Sequence, residues 1–182
     1  MLAFSRIYEV AEASRYLYVT APQKPPQYSA IRRWIRSGLP TTEAAALPAK
    51  ELFLTFEDLI SLRMIVALRQ AGFSLQHVRK AHQWLQAATG YPRPFAMKDL
   101  WIDETDIFTE MQQKLLVSAT RRGQYGMEII RDWIRRLRRP VNGSLDLGFT
   151  RKNGWEVASS WTPHPHVVLD PLIQFGSPCI EG

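Results

Sequence analysis

The chain has 182 residues, a single cysteine and a formal net charge of +6. That length holds one domain with a sizeable core or two small ones, and an apolar content of 46% excludes global disorder. No uninterrupted apolar run approaches the roughly 20 residues of a membrane span, Glu9 interrupts any secretory signal, and Cys179 alone excludes an internal disulfide, so a soluble cytoplasmic chain is expected.

The basic charge is concentrated in two places. Residues 1–50 hold seven Lys/Arg against three Asp/Glu, and residues 121–140 hold seven against two. Such local excess is a footprint of nucleic-acid binding, although a solvated surface gives the same pattern.

In chain order, Val10, Ala13, Tyr16 and Leu17 predict a short amphipathic helix over residues 8–17. The proline-bearing segment 18–27 reads as a loop. Helix resumes over residues 28–36, where Ile31, Trp34 and Ile35 share one face and Arg32, Arg33 and Arg36 project elsewhere. Ser37-Gly38-Leu39-Pro40 closes it. Guanidinium groups on a helix suit a DNA major groove, since each can pair with guanine or clamp a phosphate; an ordinary exposed face remains the alternative.

The next stretch, residues 54–85, is the one around which the chain is organised. Leu59, Leu62, Ile65, Val66 and Leu68 predict a core helix starting near Thr55, with Thr55 as its N-cap and Glu57 and Asp58 in the first turn. Ala71-Gly72-Phe73 breaks it. Ser74 then caps a second helix whose apolar side carries Leu75, Val78, Ala81, Trp84 and Leu85.

A helix, a turn, an arginine-bearing helix, a loop and then the Gly72-Phe73-Ser74-Leu75 corner before a Val78-Arg79 helix together resemble the winged helix-turn-helix domain of MerR-type regulators over about residues 6–88. The resemblance implies that Ser29, Arg32, Arg33 and Arg36 lie on the DNA-reading helix, that Lys50 lies in the wing, and that the protein is a homodimer. The turn between Val19 and Ile31 is longer than that family's compact turn. The family's long dimerisation helix is also missing where it would follow.

Beyond residue 88 a breaker-rich linker leads to a predicted hairpin around Phe95, Trp101, Ile102, Ile107 and Phe108. Residues 126–139 predict an amphipathic helix with Met127, Ile130, Trp133, Ile134 and Leu137 inward and Arg131, Arg135 and Arg138 outward. Residues 145–149 and 155–159, joined through Asn153-Gly154, predict a tight hairpin. The expected class is α+β: a helical winged helix-turn-helix domain at 1–90, a middle domain at 91–165 with hairpins and one amphipathic helix, and a short segment at 166–182.

That last segment has its own resemblance. Asp170-Pro171, Phe175-Gly176-Ser177-Pro178 and Ile180-Glu181-Gly182 are similar, in that order, to the opening of a small domain of unknown function found in VapB-like antitoxins. The resemblance implies an antitoxin that represses its own operator and neutralises a VapC-like PIN-domain ribonuclease, with Arg131, Arg135 and Arg138 as partner-binding candidates. It further implies that the domain continues past Gly182, with Val167, Leu169, Ile173 and Phe175 docked on the preceding hairpin or left mobile.

Chemistry of other kinds is poorly supported. His77 and His82 do not stack on one helical face, His164 and His166 lack a carboxylate cluster, and no phosphate loop or nucleophile elbow occurs, so neither a metal, a cofactor nor an enzyme is expected. Three readings remain: the antitoxin, a MerR-type ligand-responsive regulator with Trp101, Trp133, Trp155 and Trp161 around a ligand, and a module that binds an acidic partner.

Overall fold

The computed structural model describes residues 8–20, 24–40, 52–70, 73–98 and 146–180. Strand β1 (Tyr8–Glu9) leads into helix α1 (Val10–Thr20), followed by α2 (Tyr28–Arg36), β2 (Phe53–Leu54), α3 (Phe56–Gln70) and α4 (Leu75–Thr89). A 3-10 turn, Pro94–Ala96, precedes β3 (Leu147–Lys152), β4 (Trp155–His164), β5 (Val167–Leu169), a second 3-10 turn, Gln174–Gly176, and β6 (Cys179–Ile180). The chain is therefore α+β, with a helical first part and an antiparallel four-stranded sheet at its end. Among the described residues no helix is long and apolar enough to cross a membrane, and no cluster of three potential metal ligands occurs.

Helix α3 is the centre of the fold. Its start is set by reciprocal bonds: the Asp58 amide donates to Thr55 Oγ1 at 3.2 Å, and the Thr55 amide donates to Asp58 Oδ2 at 2.8 Å. This capping box satisfies two amide donors, one on each side of the helix start. The sequence predicts an apolar stripe along α3, yet every residue from 56 to 68 is buried, Glu57, Asp58, Ser61 and Arg63 included. The reason is surroundings on all sides: α1, α4, β2, β4 and the first 3-10 turn all pack against it.

Helix α4 follows the expected pattern. Ser74 Oγ accepts from the His77 amide at 3.2 Å, and Gly90 closes the helix in the left-handed conformation at φ 68°. Val78, Ala81 and Leu85 are buried as predicted, with Leu75 partly so. Residues 71–72 of the predicted corner lie outside the described residues.

The segment after α4 departs from expectation. Phe95 does not enter a hairpin strand but sits in the 3-10 turn, 1% exposed, with its ring edge-on to His82 at 5.2 Å. Pro94 at the turn's start makes that local helix favourable, and Met97 then bridges to Val157 of β4. Residues 99–108 of the predicted hairpin and the whole predicted helix 126–139 lie outside the described residues.

The sheet is a meander, β3-β4-β5-β6. Asn153 and Gly154, at φ 51° and 86°, form its two-residue turn and pair Lys152 with Trp155, so β3 runs three residues further than predicted. Leu147, Ala158, Trp161 and Leu169 join the same hydrophobic cluster as α1, α2 and α3, so one core runs across position 90.

The tail is half as expected. Val167–Leu169 forms β5 and Leu169 is fully buried, but Ile173 and Phe175 stand 49% and 77% exposed rather than docked on the hairpin. Left-handed backbone at Gln174 and Phe175, φ 44° and 55°, bends the chain here, and the Tyr8 hydroxyl donates to the Gly176 carbonyl at 3.3 Å.

Candidate nucleic-acid interface

Helix α2 holds three arginines in nine residues and no acidic side chain. Ser29, Arg32, Arg33 and Arg36 stand at spacings of three and four, so all four lie along one stripe of the helix. The opposite stripe, Ile31, Trp34 and Ile35, is buried against the core and fixes the helix in place. Ser29, Arg33 and Arg36 are exposed and Arg32 is half-exposed, its guanidinium 5.7 Å from the Tyr28 ring centroid. That stacking pre-orients one arginine while leaving its charge at the surface.

The end of α2 is held as firmly as its face. Ser37 Oγ donates to the Trp34 carbonyl at 2.7 Å, the Leu39 amide donates to the same carbonyl at 3.0 Å, and Gly38 adopts φ 87°. The predicted Ser37-Gly38 stop thus works through hydrogen bonds to the last turn.

Strands β1 and β2 pair Tyr8 with Leu54 and Glu9 with Phe53. Leu54 is buried and Phe53 is 41% exposed, so this ribbon offers one face to the core and one outward. Lys50, expected in a wing, lies outside the described residues, as do Arg131, Arg135 and Arg138.

Sequence reasoning missed the polar groups that join this unit to the segment after α4 and to the sheet. Arg63, from the middle of α3, forms a buried ion pair with Asp146 and lies over the Trp161 ring, 4.7 Å from its centroid. Burial pushes the Asp146 carboxyl up from its ordinary pKa and the Arg63 guanidinium down, and the opposite charge resists both shifts. At the start of α3, Glu57 accepts from the Tyr91 hydroxyl at 2.6 Å and pairs with Lys152 at 2.5 Å, while Asp58 pairs with Arg93 at 2.8 Å. A lone arginine in the apolar run from 59 to 68 was the one available signal of a buried partner. Trp161, considered above for a ligand site, is instead 1% exposed and part of the core.

Comparison with known proteins adds two findings. Residues 8–83 match the family described as MerR HTH family regulatory protein. Among solved structures, the X-ray crystal structure of Rv2018 from Mycobacterium tuberculosis is similar, with a TM-score of 0.61 at 23% identity, over 96% of this chain and 79% of that one. That likeness shows a shared fold. No curated protein matches. The family match lies within residues 8–83, and it is this part of the chain that is similar to a MerR-type helix-turn-helix domain.

Proposed function

We propose that the chain regulates transcription by binding promoter DNA as a homodimer, with α2 as the reading helix. The observation that carries this reading is the single exposed stripe of Ser29, Arg32, Arg33 and Arg36 on a helix whose other face is buried. Arginine forks on such a stripe pair with guanine edges or phosphates, and Lys50 adds a backbone contact from the wing. The C-terminal sheet is then the part through which a ligand or partner acts on the domain. Its residues Asp146 and Lys152 pair with Arg63 and Glu57 of α3, and Gly176, between β5 and β6, accepts from the Tyr8 hydroxyl of β1.

A mobility-shift titration on the upstream promoter tests the reading. Arg33→Ala is expected to lose about 1–3 kcal/mol if it reads a base, with preference lost at one position. Unchanged affinity and preference would remove Arg33 from base readout.

The antitoxin is a second, narrower reading, favoured by the ordered Asp170-Pro171 to Ile180 motif, whose Asp170 Oδ1 accepts from the Leu172 amide at 2.8 Å. In it the chain represses its own operator and blocks a PIN-domain ribonuclease by pairing Arg131, Arg135 and Arg138 with the nuclease's acidic pocket. Charge reversal at Arg135 and Arg138, with toxin pull-down and operator binding assayed in parallel, tests it: lost pull-down with intact DNA binding supports the antitoxin, and unchanged pull-down opposes it.

A further inference from the structure

The arginine stripe of α2 is bordered by an aromatic residue at the surface. Tyr28, the first residue of the helix, is 46% exposed, whereas Trp34 on the opposite side is 8% exposed and packed inward. At about 3.6 residues per turn, Tyr28 falls on the border of the stripe nearest Arg32, one turn further on.

Both side chains are held in place. Pro25 and Pro26 lead into Gln27, whose extended backbone, at φ −68° and ψ 145°, carries a carbonyl that accepts from the Ala30 amide at 2.9 Å and the Ile31 amide at 3.1 Å. The backbone thus sets where the helix starts. Arg32 then closes over the Tyr28 ring, its guanidinium carbon 5.7 Å from the ring centroid. A surface stack of this kind stabilises a helix only weakly, so packing alone gives little reason to keep a tyrosine outward here.

We infer that Tyr28 and Arg32 act together as a base-reading pair, recognising a thymine by its 5-methyl group and a guanine within two base steps of it. The assignment rests on α2 being the reading helix, as proposed above, and adds which bases that helix prefers. The chemistry of the major groove selects them. The thymine methyl is the apolar group that a base edge presents there and suits the face or edge of a ring, while guanine presents two acceptors, O6 and N7, that match a guanidinium fork.

Spacing and charge support the same occupant. Bases on one strand rise about 3.4 Å per step, so groups 5.7 Å apart reach neighbouring or next-but-one pairs and no further. The helix has no acidic side chain to repel base acceptors or phosphates. The ring also restricts the Arg32 side chain, so the fork arrives already oriented, and base contacts concentrate at the N-terminal part of a reading helix, where both residues stand.

Deleting single groups from the DNA tests the inference. The promoter segment that the full chain protects in a footprint is resynthesised with uracil at each thymine in turn, which removes the methyl alone, and with 7-deazaguanine at each guanine, which removes the N7 acceptor alone. Wild-type protein should lose about fourfold in affinity at one thymine, the worth of one buried methyl, and about tenfold at a guanine within two steps of it. Tyr28→Ala should abolish the uracil effect and shrink the guanine effect, Arg32→Ala should abolish the guanine effect, and Tyr28→Phe should keep both. Urea unfolding should barely move in any of them, since Tyr28 is exposed and Arg32 half-exposed. Uracil duplexes that all bind like the parent, or a uracil effect that persists in Tyr28→Ala, overturn the pair. Either result, with base preference still lost in Arg33→Ala, leaves α2 standing as the reading helix, whereas wild-type binding by a variant lacking Arg32, Arg33 and Arg36 removes the reading helix and the pair with it.

Discussion

Arg63 and Asp146 lie 83 positions apart in sequence and meet as a buried ion pair beside the Trp161 ring. One comes from the helix at the centre of the MerR-like part and the other from the entry to the sheet, so the pair joins the two parts of the chain inside one core. Desolvating both charges costs several kcal/mol each, and only their mutual attraction and hydrogen bonding offset this.

Breaking that pair from one side is expected to be more harmful than replacing it. Asp146→Ala leaves a guanidinium buried without its carboxylate and should cost about 3–5 kcal/mol, whereas Arg63→Met with Asp146→Leu should recover much of the loss. Urea unfolding of the two variants checks this order. An Asp146→Ala protein as stable as wild type would show that the pair contributes nothing to holding the sheet on α3.

Acid should weaken the protein through His82. It is 3% exposed, and burial pushes its pKa down to about 4, against a slight upward pull from the Pro40 carbonyl. Below its unfolded value of about 6.5 the unfolded chain takes a proton that the native chain refuses. Stability is therefore full above pH 6.5, falls on acidification down to about pH 4, and levels off, by about 3 kcal/mol in all. Asp58 and Asp146, raised by burial, change in the opposite sense, so the comparison is with His82→Gln measured over the same range. Equal pH slopes for the two proteins would remove His82 as the cause.

The capping box gives a local prediction. Thr55→Ala removes the hydroxyl that accepts from the Asp58 amide and should cost about 1 kcal/mol, up to 2. Thermal unfolding reads it as a modest drop in Tm, and an unchanged Tm would mean that Asp58, through its own bond to the Thr55 amide, holds the helix start alone.

What could be read from the sequence was local. Ile31, Trp34 and Ile35 announce the buried face of α2 by spacing alone, Thr55 and Ser74 announce helix starts by side-chain chemistry, and Asn153-Gly154 announces its turn by tolerance of positive φ. The polar contacts were not legible because their partners are remote: Tyr91 and Arg93 lie 34 and 35 positions from Glu57 and Asp58, and Lys152 lies 95 from Glu57. Apolar spacing predicted a stripe on α3 but could not reveal that its polar side is covered as well. Phe95 shows the reverse error, where an apolar residue among strand formers is captured by the Pro94 turn. For Ile173 and Phe175 the resemblance left docking on the hairpin and a mobile tail both open, and the left-handed backbone at Gln174 and Phe175, which neither residue type signals, leaves the two side chains outside.

The account turns on the arginine stripe of α2, and the salt dependence of promoter binding tests it most directly. Each phosphate neutralised by a side chain releases counterions and steepens the fall of log K with log salt by about 0.9. Wild-type protein should therefore bind steeply salt-dependently, and Arg32→Ala with Arg33→Ala and Arg36→Ala should weaken binding and flatten the slope by up to about 3. A triple variant with wild-type affinity and wild-type slope would contradict the account, because DNA would then be held by some other surface.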